Sequence, residues 1–218
     1  MAELTIEQRL EKLEAAQAIE NIQARYDYYH SVHLHEERLP LFALDTPGVR
    51  VELDWGAYEG REGVERFFRK YQEMTHKSTP GALAIHTLTT PLIEVADDLQ
   101  TAKAMWSSPG VGSGVLPGSP PGTLPGAGWM WVRYSTDFVK EHGSWKIWHL
   151  NIKMVLFAPY DKSWVEAVPP PARRQVPPGC EPDRVPESPV AGYAVDRVYE
   201  IVPPPPVPYA TFDPATSY

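Results

Sequence analysis

Cysteine is almost missing: the 218 residues contain one, Cys180. A single thiol excludes an intrachain disulfide. With no C-x-x-C or multi-cysteine pattern, thioredoxin-type redox motifs and zinc ribbons are excluded too. Clusters of Lys and Arg are also lacking. The net charge is −8 and the pI about 5.4, so a nucleic-acid partner is not expected. No run of roughly 18 apolar residues occurs, which predicts no membrane span. Met1 to Leu13 is charged and lacks the apolar centre of a secretory signal, so a cytoplasmic protein is the expectation. G-x-S-x-G, Walker and dinucleotide-binding patterns are absent. That argues against nucleophilic hydrolysis, phosphate and NAD chemistry.

Proline, by contrast, is abundant and unevenly placed: fourteen of the 24 lie between Pro169 and Pro214. Such a stretch forms neither helix nor central strand. It still carries Val190, Tyr193, Val195, Val198, Tyr199, Ile201, Tyr209 and Phe212. The chain therefore divides into a domain over residues 1–165 and a proline-rich arm over 166–218, packing on that domain or on a neighbouring subunit.

Within the domain, Thr5 with Gln8 forms a capping-box pattern that opens a helix running to about His35. Leu10, Leu13, Ile19, Ile22, Tyr26, Tyr29, His30 and His33 follow steps of three and four, one helical face that turns polar and aromatic at its end. A short helix over Leu39 to Leu44, a strand over Val49 to Leu53, a turn over Gly56 to Gly60 and a helix over Arg61 to Met74 follow. The second half reads as strands: Leu83 to Val95 with a break at Pro91, Thr101 to Ser107, Trp129 to Lys140 and Ser144 to Phe157. Pro109 to Ala127 is rich in Gly, Pro and Ser and reads as a long loop. Glu141-His142-Gly143 is a tight turn that puts His142 at the surface.

Four motifs in order carry a resemblance. Ala18-Ile19-Glu20-Asn21-Ile22, then Gly60-Arg61-Glu62-Gly63-Val64 running into Phe67-Phe68, then His86-Thr87-Leu88-Thr89-Thr90-Pro91, and finally Tyr134-Ser135-Thr136-Asp137-Phe138 with Gly143-Ser144-Trp145-Lys146-Ile147, resemble the SnoaL-like (nuclear-transport-factor-2-like) superfamily. The resemblance covers about residues 15 to 155. It implies an α+β fold: a cone-shaped barrel with N-terminal helices packed on a strongly curved antiparallel sheet and a pocket between the first helix and the sheet. The Gly/Pro insertion, the Trp-Lys-Ile-Trp-His strand and the Pro-Tyr-Asp-Lys-Ser-Trp ending also resemble bacterial proteins of aromatic catabolism, among them lignin-dimer γ-formaldehyde lyases. These imply a cofactor-independent lyase that removes a hydroxymethyl carbon from a phenolic, lignin-derived substrate and leaves a stilbene. A dehydratase, isomerase or cyclase in the same pocket, or a non-catalytic ligand-binding protein, remains open beside it. The superfamily also implies a homo-oligomer, a dimer or trimer, paired here through Trp148, Leu150 and Ile152.

Strand alternation sorts the candidates. The mixed polar and aromatic faces are placed inward, so Arg133, His149 and Asn151 join Trp106, Trp131 and His86 in the pocket, opposite Tyr26, Tyr29, His30 and His33 of the helix. Asp54 and Trp55 stand at the rim. Tyr26, His30, His86, Arg133 and His149 are the catalytic candidates. Imidazoles exchange protons near neutrality, a tyrosine protonates a leaving hydroxyl and a guanidinium holds an oxyanion. Tyr29, His33, Asp54, Trp55, Trp106, Trp131 and Asn151 would bind a small aromatic substrate. Arg133 could equally bridge to Asp137 or Asp54. Asp27 could anchor a pocket group or lie on the far side of the helix. His30, His33 and His35 lack the carboxylate and spacing of a zinc set, so no metal is expected. His35 and His76 read as solvated.

Overall fold

The computed structural model describes residues 4–76, 79–115, 123–166, 176–185 and 192–218. Helix α1 (Ile6–Ser31) starts as the sequence requires. Thr5 Oγ1 accepts from the Gln8 amide at 3.2 Å, and Gln8 Oε1 accepts from the Thr5 amide at 3.0 Å. Its buried residues, Ala15, Ile19, Gln23 and Tyr26, keep the spacing of one face. The chain then makes a 3-10 turn over Glu36–Leu41. Strand β1 (Arg50–Leu53) turns through Asp54 and Trp55 into strand β2 (Gly56–Glu59), so the segment expected to be a turn is itself a strand. Helix α2 (Gly60–Arg66) continues through a π-helical turn, Phe67–Gln72, into α3 (Glu73–Thr75).

Five strands complete the sheet: β3 (Leu83–His86), β4 (Thr89–Val95), β5 (Thr101–Gly114), β6 (Gly126–Glu141) and β7 (Ser144–Pro159). The order is β2-β1-β7-β6-β5-β3, with β4 also on β5; only β1 and β7 run parallel. The result is a mixed α+β fold with helices on a large antiparallel sheet. No helix among the described residues is long and apolar enough to cross a membrane.

Strands β5 and β6 pair from Thr101–Val139 out to Gly114–Gly126, so both ends of the expected loop are strand, and residues 116–122 lie outside the described residues. Glycine serves a packing purpose here. A Cβ on Gly110 would lie 2.5 Å from the Ile85 carbonyl and 2.9 Å from His86 Nδ1. Only a bare backbone lets β3 and its histidine sit this close.

The sheet has two buried faces, and their assignment corrects the expectation. Val132, Tyr134, Thr136 and Phe138 of β6 face the helices, where Tyr134 meets Tyr26 and Thr136 meets Gln23. Arg133, Ser135 and Asp137 face the other way. On β7 a bulge reorders the sides. Phe138 pairs with Ile147 and Asp137 with His149, leaving Trp148 as the extra residue. Ile147 and His149 therefore lie on opposite faces. Leu150 and Ile152, expected to form a subunit-pairing surface, pack toward the helices instead.

C-terminal residues cover the second face. Tyr209 and Ala210 carbonyls accept from the amides of Asp97 and Asp98, and the Tyr193 amide donates to Val155. Residues 180–184 instead close the β2–α2 edge: Arg184 pairs with Glu52 and Glu59, Asp183 with Arg66, and Tyr58 of the helix-side core donates to the Cys180 carbonyl. Phe212 lies 4.7 Å from the Trp148 ring, which itself stacks on His149 at 4.2 Å.

Candidate active site

The helix-covered face gathers chemistry that α1 delivers and β3 completes. Tyr26 and His30, one turn apart on α1, project toward the sheet. His86, the last residue of β3, brings its ring to 5.3 Å from that of His30; His76 is 6.1 Å from His30 on another side. Trp106 and Tyr134 are register partners on β5 and β6, and both are buried on this face. Tyr134 meets Tyr26 edge-on at 6.2 Å.

Arg38, in the 3-10 turn, organises one end of this group and is fully buried. Its Nη1 donates to His30 Nδ1 at 3.2 Å and loosely to Tyr26 Oη at 3.5 Å. Its Nη2 donates to His35 Nδ1 at 2.6 Å and to Gln72 Oε1 at 3.2 Å. A guanidinium only donates, so both imidazoles must accept at Nδ1 and, when neutral, keep their proton on Nε2. His35 Nε2–H donates to the His76 carbonyl at 2.8 Å. His35 is thus buried and structural, which corrects its expected exposure; His76 is half-buried.

Burial sets the proton affinities. It holds His86 down at about 4. It also holds His30 well below the usual histidine range, with Arg38 and then His86 adding repulsion. Burial raises Tyr26 and lifts Tyr134 well above the phenol range, so both stay protonated. Asp27, half-buried on α1 three residues before His30, is pushed up to about 7 by burial. Among the described residues its Oδ1 has no hydrogen-bond partner, and neither have His86 Nδ1 and the Ser108 hydroxyl on the helix-covered face of β5. The arrangement offers a protonated carboxyl, neutral imidazoles, two phenols and a fixed cation around aromatic walls.

Of the residues expected in the site, Tyr26, His30, His86 and Trp106 come together here, and Trp55 packs beside Tyr71 on the same side. Tyr29 is half-buried on the flank of α1, and His33, in left-handed conformation at φ 58°, lies just past the helix end. Arg133, His149, Asn151 and Asp54 are on the opposite face, beneath the C-terminal residues. Arg133 donates to Tyr199 Oη and the Val202 carbonyl, both at 2.7 Å. Asp54 accepts from the Met154 amide. His149 Nδ1 lies 2.8 Å from Asp137 Oδ2, and Lys103 Nζ is 3.0 Å from Asp137 Oδ1. Ser217 Oγ is 2.9 Å from both Asp137 Oδ2 and His149 Nδ1. Serine and aspartate thus share one imidazole nitrogen, which is not the relay of a serine nucleophile. Trp131 is on that face too, exposed, donating to Ser107 Oγ.

Sequence reasoning passed over Arg38 and left Asp27 undecided. Nothing in periodicity separates Arg38 from a solvated helix residue. Asp27 lies one step round the helix from Tyr26, a position that could be read either way. At the surface, Asp45, Glu141 and His142 bring metal-capable atoms together at the β6–β7 turn, but Asp45 is already paired with Arg61.

Comparison with known proteins places the chain. The sequence model described as SnoaL-like domain matches residues 11–151. No curated protein matches the chain in sequence. Among solved structures, LinA-type3, a hexachlorocyclohexane dehydrochlorinase of Novosphingobium barchaimii LL02, superposes with TM-score 0.56 at 17% identity, covering 74% of this chain and 99% of its own. A candidate scytalone dehydratase of Novosphingobium aromaticivorans gives 0.52 at 17%, covering 70% and 92%. A candidate dehydratase of the NTF2-like family from Streptomyces avermitilis gives 0.52 at 17%, covering 64% and 95%. At these identities the likeness is one of fold.

Proposed function

The chain belongs to the SnoaL-like domain family, and from that premise we propose that it is a lyase acting by acid–base elimination on a hydroxylated aromatic substrate, without a cofactor. The observation that carries the reading is that α1 and β3 bring two proton-exchanging groups of opposite tendency to the helix-covered side: Asp27, half-buried near Tyr26 and Tyr134, and His86, buried beside His30. Each has an atom with no hydrogen-bond partner among the described residues, and burial pushes their proton affinities apart. Such a split assigns acid and base roles within one site. The solved structures add support at the level of class, since dehydration and dehydrochlorination are both eliminations.

Asp27, protonated up to about pH 7, gives its proton to a benzylic hydroxyl, and the C–O bond breaks with its electrons leaving in water. The electron pair comes from the substrate ring, whose para hydroxyl releases its proton to water as its oxygen becomes the carbonyl of a quinone methide; the oxygen takes a proton back when the electrons return. Neutral His86 then takes a proton from the substrate, and electrons return to the ring. In the narrower reading that proton comes from a terminal alcohol. The neighbouring C–C bond breaks, and a diarylpropanediol yields a stilbene, formaldehyde and water. Trp106 and Tyr134 flank the ring, and Tyr26 holds its oxygen.

Incubation with phenolic diarylpropanediols and hydroxylated polyketide-like aromatics, following stilbene absorbance and formaldehyde together, tests this. Equal yields of both, lost in Asp27→Asn and His86→Gln, are expected for the narrower reading. A product lighter by water alone keeps the elimination and discards the formaldehyde step. Turnover unchanged in both variants would remove the assignment.

A further inference from the structure

Arg38 has a feature the elimination chemistry does not require: it is a fully buried cation with no anion. Its acceptors are His30 Nδ1, His35 Nδ1, Gln72 Oε1 and Tyr26 Oη, all on neutral groups, and its Nε has no acceptor. Among the described residues no carboxylate forms an ion pair with it. The rings of Phe68 and Tyr26 lie 4.6 and 5.2 Å from its Cζ and provide the remaining attraction.

The other groups facing this end form no ion pair with Arg38 among the described residues. His30 from α1 and His86 from β3 are neutral. Tyr26 and Tyr134 are protonated phenols, and Asp27 is about half protonated at neutrality. A guanidinium cannot escape by losing its proton, and a buried charge without a partner is costly. An anion entering this face removes that cost. The aromatic walls say what carries the anion: an aromatic ring bearing an ionised oxygen. The Tyr26 hydroxyl, held by Arg38 only at 3.5 Å, is free to turn its proton toward such an oxygen.

We propose that this site takes its aromatic substrate as the phenolate, selected by the charge of Arg38. The proposal rests on the reading of the helix-covered face as the substrate site, and it deepens the mechanism. An ionised ring oxygen already holds the electron pair that expels the benzylic hydroxyl.

Binding without turnover tests it. The full chain is titrated with 4-nitrophenol, whose ionised form is coloured, and with 4-nitroanisole, the same ring with the oxygen blocked. The expected result is a bound 4-nitrophenol that ionises about one pH unit lower than the free phenol, and affinity for the phenolate about tenfold above that for the ether. Arg38→Met is expected to abolish both differences, and Arg38→Lys to keep part of them. Should Arg38→Met fail to fold, the two wild-type measurements still decide. Ether binding as tight as phenolate binding, a bound phenol that ionises at or above its free value, or no binding of either probe overturns the proposal. Phenolate selectivity without turnover on the substrate panel would remove the lyase reading alone; turnover without anion selectivity would remove this one alone.

Discussion

Asp27→Asn makes the sharpest test of the site, because it predicts a gain in stability that depends on pH. An aspartate that ionises near 3.8 when open to water ionises at about 7 in the fold, raised by burial. A raised carboxyl acts against folding wherever it must be charged. Below about pH 4 it is protonated in both states and costs nothing. Between pH 4 and 7 the unfolded chain releases the proton first, and stability falls as pH rises. Above 7 the full penalty is present. At about 1.4 kcal/mol per pH unit the gap amounts to ~4 kcal/mol for a closed site, and because Asp27 is only half-buried we halve it to ~2 kcal/mol. Asparagine has nearly the same shape and no charge to bury. Urea unfolding of the variant against wild type should therefore show a gain of ~2 kcal/mol at pH 8 and almost none at pH 4, alongside loss of elimination activity. Equal effects at the two pH values, or destabilisation at pH 8, would refute both the burial argument and the choice of Asp27 as the acid.

Expressed per phenolate present, kcat/KM should follow a bell, rising as His86 loses its proton near pH 4 and falling as Asp27 loses its own near 7. His86→Gln should lower kcat by about a hundredfold to ten-thousandfold with little change in urea midpoint. Asp137→Ala strips the buried Lys103 of its partner on the opposite face and should cost ~3–5 kcal/mol in urea unfolding, with the chemistry of the remaining folded protein intact. Thr5→Ala removes the α1 cap and should cost ~1 kcal/mol by the same measurement.

What could be read in advance followed from local rules, and what could not followed from one inversion. The capping box at Thr5 and Gln8 and the two long final strands are written in residue spacing, and each is found; of the expected face of α1 the part from Ile19 to Tyr26 and His30 meets the sheet, while Leu10 and Leu13 are exposed. Alternation along β6 also identified two sets of side chains correctly, but the polar set is the one expected to meet α1, and it is the other set, Val132, Tyr134, Thr136 and Phe138, that meets it. The sheet buries both sides. One lies under helices, the other under C-terminal residues that satisfy Arg133 through Tyr199 and Val202 and Asp137 through Ser217. Polar residues on a strand usually mark either solvent or a site. Here a third possibility, a polar face sealed by the chain's own extension, took Arg133, His149 and Asn151 away from the candidate site. The bulge at Trp148 then broke the alternation that had linked Ile147 to His149. Arg38 illustrates the same limit from the other side. A charged residue between Glu37 and Leu39 in a short turn gives no sign of burial until Tyr26, Phe68 and Gln72 close around it. Those contacts join α1, the 3-10 turn and the π-helical segment. The fixed positive charge on the helix-covered face is therefore a property of tertiary packing, and the chemistry proposed for the site depends on it.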